Sequence, residues 1–203
     1  MSEVYDDVRL YLPKYLSASD QNRLLSELGS FPNNLDKRFY TIALKDQSFL
    51  FQGDGFCDVV MPDIERKEFR SVKGFLISNT CDSSTENTRL YKAFLTFAPI
   101  MDLQKYEIGL LRRYERERVV SHTNSIRQQG VSTFVYLPPD GIRTEEYFVR
   151  LDCAFSMPLT KELETELIKN KIFTLSDYGF YMLLFKLSIH LTRVQEAVAR
   201  NPY

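Results

Sequence analysis

The sequence predicts an α+β protein that is mainly β, with α-helical additions to a small barrel or sandwich. Between residues 39 and 175, short apolar or alternating segments recur between turns rich in Gly and Pro, which is typical of small all-β cores. Residues 103–130 interrupt this pattern with apolar residues at helical spacing. From residue 176 to about 200, leucines and valines recur three and four residues apart, which predicts a long C-terminal helix.

Five to seven short strands are expected in the β part of the chain. They are drawn from segments 39–44, 49–51, 56–61, 74–78, 91–100, 132–137, 147–153 and 172–175. Gly53-Asp54-Gly55 is a turn signal, and residues 91–100 are so apolar that burial on both faces is expected.

Two domain-level units follow from this order of elements. Residues 1–38 predict a helical preface, because serine caps precede a leucine stripe that stops at Pro32. Residues 39–203 form the main domain, with a helical insert at 103–130 and the C-terminal helix at 176–200. That helix is expected to bury its leucine stripe and to direct Lys186 and His190 away from it. The stripe packs on the sheet or forms a dimer seam, and both alternatives stay open.

Composition indicates a cytoplasmic globular protein. Hydrophobic residues make up 44% of the 203 residues and the net charge is −1, so any nucleic-acid binding must depend on a local patch. The three cysteines lack metal-ligand spacing and are interpreted as reduced thiols. We therefore expect no metal and no cofactor. The N-terminus has no signal-peptide pattern, and the longest apolar run is too short for a membrane span.

The most informative segment is the predicted strand 147–153, which places Arg150 and Asp152 on one face. Phosphodiester cleavage without a metal needs a base for the 2′-hydroxyl proton and a cation for the non-bridging oxygens. Asp152 and Arg150 supply both as candidate catalytic residues. The alternative is a surface ion pair worth at most ~1 kcal/mol.

A polar loop at residues 79–82 gives a second candidate site. Cys81 is a nucleophile candidate if a nearby base lowers its pKa, but the sequence places no histidine beside it. The alternative is structural, with Asn79 and Asp82 fixing the loop through backbone hydrogen bonds.

The helical insert is locally basic. Between residues 105 and 127, six Lys or Arg residues stand against three Glu residues, a local charge of +3. Arg112, Arg113 and Arg116, with Tyr106 and Tyr114 among them, are candidates for binding a single strand by charge and stacking. The alternative is a solvated helix with Glu–Arg pairs.

Four short motifs in order resemble the PemK/MazF family of toxin endoribonucleases, which has an SH3-like small barrel. They are Gly53-Asp54, Ser78-Asn79, Ala98-Pro99-Ile100 and Arg150-Leu151-Asp152. The resemblance covers roughly residues 50–200, and each motif is short, so their order carries the comparison. The insert and the preface are additions to the family pattern, and Met101-Asp102 depart from it.

The resemblance implies metal-independent RNA cleavage that leaves a cyclic phosphate, an antitoxin-like protein partner and a homodimer. Arg150 and Asp152 match the family's Arg-x-Asp positions, and Lys73 stands where a basic residue, usually arginine, precedes a strand. We interpret the chain as a bacterial or phage protein that binds a protein partner or nucleic acid in a toxin–antitoxin-like or phage-defence module. The alternatives are an endoribonuclease that uses Arg150 and Asp152, and a cysteine-dependent enzyme at Cys81.

Overall fold

The computed structural model describes Ser19, Ser26 and residues 37–44, 46–140 and 143–192 of the chain. It confirms the α+β class: an eight-stranded, mostly antiparallel sheet carries four α-helices in the described part. The strands are β1 (Tyr40–Thr41), β2 (Gly55–Asp63), β3 (Glu68–Leu76), β4 (Phe94–Asp102), β5 (Phe134–Leu137), β6 (Tyr147–Arg150), β7 (Phe155–Pro158) and β8 (Lys171–Leu175). The helices are α1 (Leu103–Leu111), α2 (Arg116–Arg127), α3 (Lys161–Lys169) and α4 (Asp177–Thr192).

The sheet is open, so the prediction of a closed small barrel is wrong. Its strands follow the order β1-β8-β2-β3-β4-β6-β5, and β7 pairs with β4 outside this path. A barrel needs a backbone ladder all the way round. Here the side-chain amide of Gln129 occupies the edge of β5, because it donates to the Tyr136 carbonyl at 2.8 Å and accepts from the Tyr136 N–H at 2.9 Å. The first and last strands of this order, β1 and β5, are connected instead by a side-chain hydrogen bond. The Tyr40 hydroxyl of β1 donates to the carbonyl of Pro138, which follows β5, at 2.8 Å.

Three apolar clusters hold the sheet and helices together. The largest lies between the sheet and α4, and includes Phe75, Val149 and Met182. A second includes Leu167 of α3. The third joins α1 and α2 to the sheet and consists of the buried residues Leu103, Ile126, Phe134, Tyr136 and Phe148. The helical insert is therefore docked on the sheet through aromatic side chains.

The insert predicted at 103–130 is helical, as two helices rather than one. Asp102 begins α1, because its carboxylate accepts a hydrogen bond from the Lys105 N–H at 2.8 Å. The chain leaves helical geometry between Arg112 and Glu115, and α2 runs from Arg116 to Arg127. This break lets α1 and α2 pack against each other as a hairpin.

The C-terminal helix is described only over Asp177–Thr192, so the rest of the predicted 176–200 helix lies outside the described residues. Its buried side is Tyr178, Met182 and Lys186 at four-residue spacing, whereas Leu191 of the predicted stripe is 77% exposed. The expectation for Lys186 is wrong, because its ammonium is buried and donates to the Gln129 and Val131 carbonyls, both at 2.8 Å. Burial lowers the pKa of Lys186 to about 8.

Two other expectations concern the N-terminal half. The predicted strand 49–51 is absent, because the segment turns: the Phe51 N–H donates to the Asp54 carboxylate at 2.9 Å, and Gly53 takes a φ of +91°. The turn at Gly53-Asp54-Gly55 is confirmed. The preface at 1–38 lies outside the described residues, apart from the helical Ser19 and Ser26 and the 3₁₀ turn at Lys37–Phe39, where the main domain begins.

Candidate nucleic-acid interface

Arg150 and Asp152 form a two-point ion pair at the end of β6. The strand ends at Arg150 and a 3₁₀ turn follows over Leu151–Cys153, because Leu151 turns into the core between the sheet and α4. The predicted alternation thus stops early, but the two side chains still meet. Arg150 donates from Nε to Oδ1 at 3.1 Å and from Nη2 to Oδ2 at 2.5 Å. Both side chains are partly exposed, at 35% and 36%.

The hydrogen bond from Arg150 holds the pKa of Asp152 below its usual range, although partial burial opposes this shift. Asp152 is therefore an ionised acceptor at neutral pH and a weak base. The Arg150 guanidinium, in turn, has its pKa raised by Asp152 and remains a cation. A ligand can therefore bind the Asp152 carboxylate or the Arg150 guanidinium if it replaces the hydrogen bonds between them.

The helical insert faces this ion pair. Tyr106 of α1 packs against Phe148 and Phe134, with ring centres 5.0 and 6.3 Å apart. Arg150 lies opposite Phe134 in the β5–β6 ladder, and its guanidinium carbon is 5.7 Å from the Phe134 ring centre. Burial raises the pKa of Tyr106, and the charges of Arg150 and Asp152 also act on its hydroxyl. Tyr106 and the ion pair therefore lie on either side of the buried Phe134 ring.

One of the two histidines of the chain, His122, also lies beside Tyr106 and Phe134. The Tyr106 hydroxyl and His122 Nε2 are 3.1 Å apart and share a hydrogen bond. The His122 ring centre is 6.3 Å from that of Phe134. We call the set Arg150, Asp152, Tyr106 and His122 the Arg150 surface.

A groove between the two insert helices adjoins the Arg150 surface through Tyr106 and His122. This α1–α2 groove has a volume of about 220 Å³ and is lined by Tyr106, Leu110, Tyr114, Arg118, Val119 and His122. The Arg118 guanidinium carbon is 5.3 Å from the Tyr114 ring centre, which is cation–π distance. The groove thus combines aromatic rings with a cation.

The predicted basic residues separate into two groups. Arg112, Arg113 and Arg116 are exposed at the turn between α1 and α2, where the positive end of the α2 dipole adds to their charge. Lys73 lies apart from them. It pairs with Ile100 of β4, which in turn pairs with Val149 of β6. Because Val149 and Arg150 are neighbours in the strand, their side chains point to opposite faces, and Lys73 lies on the face opposite to Arg150. Its ammonium donates to the Tyr147 hydroxyl at 2.7 Å and lies 4.1 Å from that ring's centre.

The loop candidates Asn79, Cys81 and Asp82 form an ordered 3₁₀ turn. The Asn79 side chain accepts a hydrogen bond from the Cys81 N–H at 2.8 Å. Arg89 donates to the Cys81 carbonyl and to the Asp82 carboxylate, both at 3.2 Å. These contacts match the structural alternative for Asn79 and Asp82. Cys81 is a free, exposed thiol, and His122 makes its contacts at the Arg150 surface.

Sequence reasoning missed His122, because its contact with Tyr106 depends on how α1 and α2 pack together on the sheet. Within the described ranges, no three His, Cys, Asp or Glu side chains are grouped so that they could hold a metal ion. None of the helices in the described part is both long and apolar enough to cross a membrane. No model of a known protein family matches the chain, and no curated protein matches it in sequence.

Proposed function

We propose that this chain is a nucleic-acid-binding component that holds single-stranded RNA across the Arg150 surface and the α1–α2 groove. The observation that carries the proposal is the docking of Tyr106 beside Arg150, which brings a partly exposed aromatic ring and a guanidinium together. Proteins bind single strands by such a combination of basic groups and stacking platforms.

The charge distribution supports a local rather than a global mode of binding. The net charge of −1 gives the protein no general attraction for nucleic acid. The exposed arginines at the α1–α2 turn (Arg112, Arg113 and Arg116) supply a local positive patch, which Glu115 and Glu117 offset in part. A phosphate that reaches Arg150 must displace Asp152 from part of the guanidinium. We therefore expect moderate affinity that falls with salt.

The wider biological context rests on the resemblance to PemK/MazF proteins. In this proposal the chain belongs to a toxin–antitoxin-like or phage-defence module, with an antitoxin-like protein partner and a homodimeric state. The ordered motifs from Gly53-Asp54 to Arg150-Leu151-Asp152 support it, while the open sheet and the helical insert depart from the expected barrel.

A second candidate function is metal-independent cleavage of the bound RNA, and the position of His122 favours it. In-line attack by the 2′-hydroxyl needs a base, a proton donor for the leaving 5′-oxygen and a cation near the phosphate. Asp152 is a poor base because Arg150 holds its pKa low. The His122 imidazole, which shares a hydrogen bond with the Tyr106 hydroxyl, would take the proton of the 2′-hydroxyl. A solvent water would protonate the leaving oxygen, and Arg150 would stabilise the phosphate oxygens.

The test measures binding of a fluorescein-labelled, unstructured single-stranded RNA by fluorescence anisotropy, in buffer that contains EDTA. We expect wild-type protein to bind, and Arg150→Gln to weaken binding roughly tenfold, or about 1.4 kcal/mol. Arg70→Gln is the control, because Arg70 is an exposed arginine that pairs with a carboxylate, Asp63, at 3.0 Å on the β2–β3 hairpin. Absence of wild-type binding, or equal binding by Arg150→Gln, would contradict the proposal.

Gel analysis of the same reactions tests the second candidate. Discrete cleavage products that disappear in both His122→Asn and Arg150→Gln would establish a ribonuclease at this surface. If the RNA binds but remains intact, the binding function is retained and cleavage of this substrate is excluded.

A further inference from the structure

We propose that the α1–α2 groove is a subsite for one unstacked nucleobase of the bound strand. This inference rests on the proposed function and specifies which part of the ligand the groove takes. The backbone phosphate would lie at Arg150, and a neighbouring base would enter between the two insert helices. Tyr106 and His122 belong to both places, so a single nucleotide step could connect them.

The size of the groove favours a single ring system. Its volume of about 220 Å³ is smaller than the roughly 300–1,000 Å³ of pockets that enclose drug-sized ligands. Val119 is buried and contributes apolar surface, and Leu110 of α1 contributes more. A flat aromatic ligand gains most from such a narrow site, because both of its faces can contact side chains.

The lining offers both stacking and edge recognition. Tyr114 is 49% exposed, and the Arg118 guanidinium lies over its ring, so a base can stack on the tyrosine or against the guanidinium plane, as unstacked RNA bases do. The Tyr106 hydroxyl and His122 Nε2 currently bond to each other at 3.1 Å. Since both groups can donate or accept, they can exchange this bond for bonds to the edge of a base.

Charge at the mouth of the groove favours a nucleic-acid ligand over an apolar peptide. Arg118 belongs to the lining, and Arg112 and Arg113 directly precede Tyr114 in the turn between the helices. A phosphodiester backbone brings one negative charge with every base, so these arginines attract the chain to which the base is attached. An uncharged apolar segment would gain nothing from them.

Two RNA strands of equal length and charge test the subsite, one intact and the other with a single abasic position at its centre. We expect wild-type protein to bind the intact strand several-fold more tightly. Tyr114→Leu removes the ring but keeps apolar bulk, and should weaken binding of the intact strand about tenfold and abolish the difference between strands. Tyr91→Leu, an exposed tyrosine outside the groove lining, is the control and should retain the wild-type difference.

Arg150→Gln distinguishes failure of the subsite from failure of the proposed function. It should weaken both strands equally and preserve their difference, because it removes a phosphate contact. Equal binding of the two strands by wild-type protein, or wild-type behaviour of Tyr114→Leu, would overturn the base subsite while RNA binding itself survives.

If no RNA binds, the proposed function fails and a direct titration decides the subsite. Adenosine 5′-monophosphate is added while the ring signals of His122 and His190 are followed by NMR. A saturable shift of the His122 signals that Tyr114→Leu eliminates would support the subsite. No shift, or a shift only with a short apolar peptide used as the comparison ligand, would overturn it.

Discussion

Two arginine–carboxylate pairs in this protein have similar geometry and different surroundings. Arg127, at the end of α2, donates to both oxygens of Glu146 at 2.8 Å, and the Tyr136 hydroxyl adds a third hydrogen bond at 2.5 Å. Arg150 makes two similar bonds to Asp152, only two residues away. The first pair joins the helical insert to the segment before β6 and to β5. The second joins neighbours in one short segment.

This difference separates a structural pair from one that is available for function. Removal of Arg127 would leave Glu146 without its main partner and would remove one of the contacts that hold α2 on the sheet, beside the buried Ile126. The Arg150–Asp152 pair holds no two elements together, and exposed pairs contribute at most ~1 kcal/mol. In the proposed function, this second pair is the one that a ligand engages.

The largest effect is expected at a third pair, which is buried. The Lys171 ammonium contacts the fully buried Asp54 carboxylate at 2.8 Å. Lys171→Met leaves a buried carboxylate without its cation, so the free energy of unfolding should fall by about 3–5 kcal/mol. Urea denaturation measures it, with Lys105→Met as the control because Lys105 is 85% exposed. If the two variants are equally stable, the contribution of these ion pairs to stability does not increase with their burial.

Arg127→Met is expected to have an intermediate effect. The side chains of Arg127 and Glu146 are partly exposed, so the loss should be smaller than at Asp54, about 2 kcal/mol. Arg66→Met, on an exposed arginine with longer contacts to Asp63 and Glu68, should change stability by less than about 0.5 kcal/mol. If Arg127→Met lowers the free energy of unfolding no more than Arg66→Met does, the Arg127–Glu146 pair is not a structural pair.

A smaller change in stability is expected when the pH is lowered, and its direction follows from the pKa of Glu146. Arg127 lowers the pKa of Glu146 below the usual 4.5, so this pair stabilises the fold above pH 4.5 and loses its contribution as pH falls through the folded-state pKa. The stability difference between wild type and Arg127→Met should therefore be largest near neutral pH and shrink below pH 4.5. Thermal unfolding from pH 7 to pH 3 measures it, and a constant difference would contradict this cause.

Local patterns predicted much of the fold. Helical spacing over 103–130 and the apolar run before residue 100 correspond to α1, α2 and β4, because both depend on neighbouring residues alone. Lys186 was mispredicted, because its burial depends on the Gln129 and Val131 carbonyls, 57 and 55 residues away. The open sheet was not predictable either, since it depends on the contact between Gln129 and Tyr136.

The candidate site was predictable only as its separate parts. The sequence identified Arg150 and Asp152 from strand alternation, and the basic insert from its composition. The placement of the insert depends on the interruption of the helix between Arg112 and Glu115, which turns α2 back along α1 and brings His122 to Tyr106. Hydrophobic periodicity in the sequence does not predict how α2 packs against α1.

The most direct test of the central claim is to crosslink wild-type protein to a photoreactive single-stranded RNA and to identify the crosslinked peptides by mass spectrometry. We expect crosslinks in the insert, at residues 103–127, and in the segments of β5 and β6 around Phe134 and Arg150. Crosslinks confined to the β2–β3 hairpin, or an RNA that crosslinks nowhere on the chain, would contradict it.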